Sequence, residues 1–294
     1  MSTSLASVVK DPTPDYLQLA SPLIDMALRE DIGSGDATSI AVAEAGRLTK
    51  GMIRSREEAV ICGGKVVREV FHRVDKSIEV ELRVADGERV EQGACVVSLT
   101  GPARSILTAE RTALNFLQRL SGIATTTQRY VQAASEGGAQ ILDTRKTTPG
   151  WRPLEKYAVR MGGGTNHRFG LYDQIMIKDN HLAFLEAKVA TSISVGVARC
   201  HEQFPGLRVE VEADNLEQVD DAVKAGADII LLDNMPDAQM AEAVRRVDGR
   251  AKLEASGGIT LERVSSISKL GVDYISVGAL THSVTSVDLG LDFE

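Results

Sequence analysis

The sequence predicts an α+β module followed by an α/β barrel. This prediction rests on a change, along the chain, in the spacing of apolar segments. From residue 21 to about residue 100, one helical segment is mixed with short apolar runs that Gly and Asp separate. After Gly138, strand-like and helix-like segments alternate, and the last two strand-to-strand spacings are about twenty residues, which suits single βα units. No G-x-G-x-x-G follows the first of these strands and no Walker sequence is present, so a TIM-like barrel of six or seven strands is favoured over an open Rossmann sheet.

The first module contains one predicted helix and four predicted strands. Residues 22–30 have helical spacing, with Ser21 as the N-cap and Pro22 at the first helical position. Apolar residues alternate or cluster in four short runs, at residues 50–55, 59–62, 78–84 and 95–99. A long helix or a helix pair follows over residues 109–134, and in the second case the pair is divided at Ser121-Gly122.

The barrel is predicted from six strands and the helices between them. The strands are residues 140–143, 174–178, 208–213, 228–233, 252–256 and 274–277. Helical stretches lie at residues 216–225, 237–247 and 261–270. The glycine run in residues 161–164 has no strand directly before it, so a flexible turn is favoured over a phosphate-binding loop.

Composition and charge exclude several classes of protein. Three cysteines far apart in sequence argue against a disulfide framework, and no Cys/His spacing resembles a zinc site. The net charge of -8 and the pI near 5.3 speak against nucleic acid as the main partner. No apolar run is long enough to span a bilayer, and the N-terminus lacks a signal-peptide core, so we expect a cytoplasmic protein.

Charged residues follow the predicted barrel strands in a regular order of cations, carboxylates and glycines. In chain order the strand ends carry Arg145 and Lys146, Lys178, Glu212, Asp233, Ser256-Gly257-Gly258 and Gly278-Ala279. Active sites of α/β barrels lie at this carboxyl end, where glycine turns offer N–H groups to phosphate. Each residue taken alone also fits a structural role, such as Asp233 capping the next helix. Six successive strand ends with such residues favour a functional site.

The segment from residue 141 to residue 181 is locally cationic in an acidic protein. It carries seven Lys and Arg against four Asp and Glu, together with His167 and His181. Such a segment indicates a pocket for a small polyanion. A structural cap is the favoured role of His181, whereas His167 and Arg168 also fit an exposed loop.

Nine motifs in order together resemble the quinolinate phosphoribosyltransferase family, over nearly the whole chain. They are LREDIGSGDATS (28–39), ERTALNFLQRLSGIATTT (110–127), DTRKTTPG (143–150), LEKYAVRMGGGTNHR (154–168), IKDNH (177–181), VEVEAD (209–214), LLDNM (231–235), EASGGI (254–259) and ISVGALTHS (275–283). Trp151 departs from the aliphatic residue that is more usual in the family, and does not affect the assignment.

The resemblance implies a particular fold and assembly. It implies an N-terminal α+β sandwich domain over residues 1–117, to which residues 281–294 return, and a barrel catalytic domain over residues 118–280. It also implies a homodimer in which Arg111 of the ERTALN motif reaches the partner's active site. On sequence grounds alone, Arg111 would be a helix-surface arginine.

The implied reaction joins quinolinate to 5-phosphoribosyl 1-pyrophosphate and releases pyrophosphate and CO2, giving nicotinate mononucleotide. Arginines suit a dicarboxylate because they bind carboxylates bidentately. Arg111, Arg145, Arg168 and Lys178 are assigned to quinolinate, with Thr144, Lys146 and His167 nearby, and either lysine also suits pyrophosphate. Glu212 and Asp233 are assigned to the ribose and to hydrated Mg²⁺, and with Lys146 they form the expected catalytic set. The 5′-phosphate is assigned to Ser256, Gly257, Gly258, Val277, Gly278 and Ala279.

Three other functions fit parts of the pattern. A paralogue acting on another base is countered by the full cation set, which favours a dicarboxylate. A Schiff-base aldolase with Lys178 as nucleophile needs apolar surroundings, whereas Asp179 and the nearby cations make them polar. A non-catalytic phosphosugar-binding barrel has no use for so many cations opposite two carboxylates.

Overall fold

The computed structural model describes residues 16–185 and 192–294. Its first part contains three helices, α1 (Tyr16–Ile32), α2 (Ala37–Val42) and α3 (Gly64–Val74). Its strands are β1 (Leu48–Ser55), β2 (Ala59–Val60), β3 (Glu79–Leu82), β4 (Arg89–Val90) and β5 (Cys95–Pro102). The last strand of the chain, β12 (Leu289–Phe293), pairs antiparallel with β1, so the sheet has the order β12-β1-β5-β3. The C-terminal residues therefore complete the first sheet.

Helix α1 begins earlier than predicted, and Pro22 lies inside it rather than at its first position. The buried residues Tyr16, Ala20, Ile24 and Leu28 recur every fourth position across the proline. Burial of this continuous stripe offsets the one hydrogen bond that a proline removes. Ser21 is not an N-cap, because it lies inside α1. Its carbonyl and hydroxyl oxygens each accept a hydrogen bond from Arg73 at 2.7 Å.

Only one helix was predicted for the first part, so α2 and α3 were missed. Asp36 caps α2 by accepting a hydrogen bond from the N–H of Ser39 at 2.9 Å. Helix α3 buries Val66, Val67, Val70 and Phe71, whose β-branched members have a local preference for strands. Packing of this face against the long helix that follows overrides that preference.

The long helix α4 (Ala103–Ala134) is continuous over 32 residues, so the alternative of a helix pair divided at Ser121-Gly122 is wrong. Ser121 Oγ accepts a hydrogen bond from the backbone N–H of Cys62 at 3.0 Å. A Cβ atom on Gly122 would lie 2.2 Å from the carbonyl oxygen of Thr285. These small residues allow two segments to approach the helix closely, and they do not interrupt it.

The second part is an α/β unit with six parallel strands, which confirms the predicted fold class. The strands are β6 (Gln140–Leu142), β7 (Ile175–Ile177), β8 (Val209–Ala213), β9 (Ile229–Asp233), β10 (Lys252–Ser256) and β11 (Tyr274–Ser276), in the order β6-β11-β10-β9-β8-β7. Thr165 adds a parallel bridge to Leu142 on β6, the strand at one edge, and the chain reaches β7 at the other edge ten residues later. The chain therefore passes from one edge of the sheet to the other within ten residues.

Helices accompany these strands along the chain. They are α5 (Arg152–Met161), α6 (Asp179–Leu182), α7 (Ser192–Gln203), α8 (Leu216–Ala225), α9 (Asp237–Val247), α10 (Leu261–Ser268) and α11 (Ala279–His282). Among the described residues, no helix is long and apolar enough to cross a membrane.

The glycine run after α5 is a turn, as predicted, but it is packed rather than open. A Cβ atom on Gly162 would lie 2.3 Å from the carbonyl oxygen of Ala124 in α4. Gly164 is equally close to side chains, because its Cβ would lie 2.8 Å from Thr127 Cγ2 and from Val159 Cγ1. The run therefore lets α5 lie directly against α4.

Gly122→Ala tests the close approach at α4. In an open helix this change gains up to about 1 kcal/mol, but here we expect a loss of about 1–3 kcal/mol in the free energy of unfolding, because the new methyl group overlaps the Thr285 carbonyl. Denaturant unfolding measures the change. Gly206→Ala is the control, since nothing lies within 4 Å of its Cβ position. A Gly122→Ala protein at least as stable as the control would contradict this account.

Candidate functional site

A cavity of about 500 Å³ lies at the carboxyl ends of the parallel strands. Its walls come from the carboxyl-terminal parts of β7 to β11, from the residues that follow β6, β7, β9 and β10, and from residues 167 and 168. The lining residues are Thr144, Arg145, Lys146, His167, Arg168, Met176, Lys178, Glu212, Leu231, Asp233, Asn234, Glu254, Ser256, Gly257, Gly258 and Ser276. Most of the residues predicted from the sequence thus share one cavity.

Four predicted site residues do not line this cavity. Arg111 is exposed on α4. Val277 is buried, and Gly278 and Ala279 lie where α11 begins. Gly278 still adjoins the site, because a Cβ atom there would lie 3.1 Å from Lys146 Cδ.

Arg145 and Arg168 give the cavity a positive charge that the protein leaves largely uncompensated. Arg145 Nε is buried without a hydrogen-bond partner among the described residues. Arg168 donates only a 3.3 Å hydrogen bond to the carbonyl of Gln174 and a 3.6 Å contact to the sulfur of Met176. Burial, followed by the nearby charge of Arg145, lowers the pKa of Arg168. Two guanidinium groups that repel each other in a cavity define a place for an anion.

Carboxylates lie on the neighbouring strand ends of the same cavity. Glu212 at the end of β8 forms an ion pair with Lys178, whose side chain is 40 % exposed. Asp233 ends β9, and its Oδ2 accepts a 2.8 Å hydrogen bond from Asn234 Nδ2. Asp233 therefore keeps oxygen lone pairs for a ligand. Two such carboxylates suit a hydrated, oxygen-seeking cation better than a fully protein-ligated one.

The glycines after β10 bring backbone to the cavity wall. Gly257 and Gly258 have φ angles of 86° and 58°, a region that favours glycine. A Cβ atom on Gly257 would lie 2.2 Å from Asn234 Oδ1, so the two turns after β9 and β10 pack directly together. This turn can present backbone N–H groups without a side chain in the way.

Beneath the cavity, His167 lies between two buried carboxylates. Its Nε2 is 3.2 Å from Glu210 Oε2 and 3.3 Å from Glu254 Oε2. Burial alone would lower the pKa of His167, but the two carboxylates outweigh burial and raise this pKa to about 10. Nδ1 accepts a hydrogen bond from the N–H of Arg168 at 2.6 Å, which opposes protonation at Nδ1. In the neutral and in the cationic ring alike, Nε2 carries a proton that faces the carboxylates.

These three residues have the spacing of a metal site, but their hydrogen bonding does not fit one. Among the described residues they are the only group of three potential ligands close enough to hold an ion. A histidine that binds a metal donates its other N–H to an acceptor. Here the other nitrogen faces the N–H donor of Arg168, and Nε2 carries the proton. His167 thus turns Nε2 towards the two carboxylates at ion-pair distance, although this nitrogen makes no hydrogen bond within the described residues.

The alternation of side chains along a strand could have identified the lining residues that the prediction missed. Met176, Leu231, Glu254 and Ser276 each lie two positions before a predicted site residue, so they face the same interior. The fifth, Asn234, follows Asp233 at a φ angle of 52°. Glu210, two positions before Glu212 on β8, is buried and contacts His167 and Gln174.

His181 has the structural role that was favoured for it. Its Nδ1 accepts a hydrogen bond from the backbone N–H of Lys178 at 2.9 Å. The contact caps the short helix α6 and holds the strand end that carries Lys178.

Fold and cavity together define an α/β-barrel protein with a cationic cavity at the carboxyl ends of its parallel strands, and sequence comparison gives its family. The profile of the quinolinate phosphoribosyl transferase C-terminal domain matches residues 123–292, and that of the N-terminal domain matches residues 36–121. The chain belongs to the quinolinate phosphoribosyl transferase family.

Curated relatives and solved structures agree with this assignment. A probable nicotinate-nucleotide pyrophosphorylase [carboxylating] of Bacillus subtilis is 42% identical over 95% of this chain and 94% of its own. The nicotinate-nucleotide pyrophosphorylase [carboxylating] of Mycobacterium leprae is 45% identical over 93% of this chain and 96% of its own. The structure of the nicotinate-nucleotide pyrophosphorylase from Francisella tularensis has a TM-score of 0.89 at 40% identity, over 95% of this chain and 97% of its own.

Arg145→Gln tests whether the cavity carries uncompensated charge. The change removes a guanidinium with a buried, unpartnered nitrogen beside a like charge, so we expect unchanged or slightly increased stability of the free protein. Arg152→Gln is the matched control, because Arg152 donates hydrogen bonds to Thr147 Oγ1 and to the carbonyls of Phe169 and Arg145. Loss of these bonds is expected to cost about 1–3 kcal/mol in a denaturant titration. Equal losses in both variants would show that Arg145 is part of the structural framework.

Proposed function

We infer that the chain transfers the phosphoribosyl group of 5-phosphoribosyl 1-pyrophosphate to quinolinate, with release of pyrophosphate and CO2 and formation of nicotinate mononucleotide. It is then a decarboxylating pentosyltransferase of NAD biosynthesis, in agreement with the names of its relatives. The observation that carries the proposal is the cationic wall of Arg145 and Arg168, which lines one cavity together with Glu212 and Asp233.

Quinolinate fits the cationic side of the cavity because it is a planar dicarboxylate. Arg145 and Arg168 would each take a carboxylate with directional N–H groups, and Lys178 would add a third charge. Thr144 and His167 line the same side, and Lys146 is placed to meet either quinolinate or pyrophosphate. Lys178 is ion-paired and partly exposed, which is not the apolar setting that a Schiff-base nucleophile needs.

The carboxylate side fits the ribosyl donor. Loss of pyrophosphate gives the ribose carbon oxocarbenium character, and the charges of Glu212 and Asp233 favour a cationic centre between them and the base. The same two residues would hold hydrated Mg²⁺, which supplies charge neutralisation for the pyrophosphate that leaves. Ser256, Gly257 and Gly258 would bind the 5′-phosphate, with Val277, Gly278 and Ala279 behind them.

Decarboxylation needs little further help from the protein. When the pyridine nitrogen bonds to the ribose carbon, it becomes formally positive. This charge stabilises the carbanion that remains on the adjacent ring carbon after CO2 leaves, and a proton then replaces the carboxylate. The main work of the side chains is therefore to align the ring nitrogen with the ribose carbon and to exclude competing orientations.

A homodimer in which Arg111 enters the partner's cavity completes the proposed site. Arg111 is exposed on α4 and outside the cavity of its own chain. The exposed side chain is free to contact a second copy, whose quinolinate would gain another guanidinium.

Product analysis tests the reaction. Incubation of the protein with quinolinate, 5-phosphoribosyl 1-pyrophosphate and Mg²⁺ should give nicotinate mononucleotide and CO2 in equal amounts. A chelator should abolish turnover, and added Mg²⁺ should restore it, because the polyanionic pyrophosphate that leaves needs charge neutralisation. Nicotinate, which lacks the second carboxylate, is the control substrate. Turnover of nicotinate at the rate of quinolinate would reject the dicarboxylate assignment.

Mixing two inactive variants tests the shared site. Arg111→Ala and Arg168→Ala should each lose more than about 2 kcal/mol of transition-state stabilisation, because a desolvated carboxylate is left unpaired. Refolding them together in equal amounts places both defects in one site of each mixed dimer and leaves the other intact. About a quarter of wild-type activity should return. Full activity of Arg111→Ala alone, or no recovery on mixing, would remove Arg111 from the partner's site.

A further inference from the structure

Asp143 lies directly behind the cationic wall and contacts both segments that form it. It follows β6 and immediately precedes Thr144, Arg145 and Lys146. Its side chain is fully buried and does not line the cavity. Its contribution to the site must therefore pass through other residues.

The carboxylate of Asp143 accepts three hydrogen bonds from two other parts of the chain. Oδ1 accepts from the Lys156 ammonium on α5 and from the backbone N–H of His167 at 2.9 Å. Oδ2 accepts from Asn166 Nδ2 at 2.5 Å. One carboxylate thus holds the residues that lie just before Arg168.

Lys156 and Asn166, which donate to Asp143, also donate hydrogen bonds to backbone carbonyls of these segments. Lys156 Nζ donates a 2.9 Å hydrogen bond to the carbonyl of His167, and Asn166 Nδ2 donates one to the carbonyl of Lys156 at 2.9 Å. The backbone adds a 2.8 Å bond from the N–H of Thr165 to the carbonyl of Ile141. The segment before Arg168 is therefore attached to the end of β6 by backbone and side chains together.

The energetics of the pair argue against a role in stability alone. Lys156 is 1% exposed and Asp143 is not exposed at all. Burial raises the pKa of Asp143 and lowers the pKa of Lys156, against the attraction between the two groups. Buried ion pairs of this kind contribute little net stability compared with apolar residues of the same volume. What they provide is a defined geometry.

We propose that Asp143, balanced by Lys156, is a positioning residue that sets the distance between Arg145 and Arg168 and thereby the recognition of the two quinolinate carboxylates. The inference rests on the proposed function. Within the described residues, no hydrogen bond joins the ribosyl-donor side, from Asp233 to Gly258, to this pair. The effect on the two substrates should therefore differ.

The test compares a single and a double variant. Asp143→Asn keeps the shape of the side chain but leaves Lys156 buried without its counter-charge. Asp143→Asn with Lys156→Met removes both charges and keeps most of the volume. If the pair only balances charge, the double variant should regain both stability and quinolinate binding. If the pair positions the two arginines, the double variant should regain stability while quinolinate binding stays weak.

Calorimetry gives the dissociation constants of quinolinate and of 5-phosphoribosyl 1-pyrophosphate with Mg²⁺ for each protein. We expect the quinolinate constant of both variants to rise by about tenfold or more, because misplaced donors lose bidentate contacts, while the donor constant changes by less than about threefold. The KM for quinolinate should rise in the same way, and the KM for 5-phosphoribosyl 1-pyrophosphate should change little. Gly122→Ala, which lowers stability at a distance from the cavity, should leave both constants unchanged.

Three results would overturn the inference. They are wild-type quinolinate binding in the double variant, equal weakening of both substrates, and weakening of quinolinate binding in Gly122→Ala by the same factor. These results differ from failure of the proposed function. A wild-type protein that binds quinolinate but forms no nicotinate mononucleotide would reject the reaction, and the binding constants would still decide the role of Asp143.

Discussion

Repulsion between positive charges at the mouth of the barrel is the constraint on which the rest of the site depends. Parallel strands end on one side of their sheet, so the residues after β6, β7 and the 165–168 segment converge there. Arg145 and Arg168 are brought together in surroundings where their charges repel, and Lys178 has already been paired with Glu212. An anionic ligand relieves this repulsion, and its binding can draw on the free energy that the free protein leaves uncompensated.

Buried carboxylates at the cavity wall and behind it hold the cationic segments in place. Asp143 holds the backbone of His167, while Glu210 and Glu254 face its imidazole. None of the three lies exposed, and the hydrogen bonds of Asp143 and Glu210 are made in a medium of low dielectric constant, where polar contacts are strong and costly to break. The protein therefore places its rigid polar network one layer below the groups proposed to contact substrate.

Helix α4 connects this barrel to the first sheet through very close contacts. Gly122 lies against the backbone of Thr285, in the segment that leads to β12. Gly162, at the end of α5, lies against the backbone of Ala124 in α4. Both contacts exclude even a methyl group, so the two parts of the chain share one packed helix.

The sequence by itself determined the parallel strands, helices α8, α9 and α10, and most of the cavity residues. Strand alternation, helical spacing and strand-end position are local properties, and they place Lys178, Glu212 and Asp233 without knowledge of the fold. The domain boundary at residues 117 and 118 stays a prediction, and it falls inside α4. Only the tertiary structure decided that α1 continues through Pro22, that α4 is unbroken at Gly122, and that Asp143 and Glu210 lie behind the cavity. These outcomes depend on contacts between residues distant in sequence, whose burial outweighs the local preference of the chain.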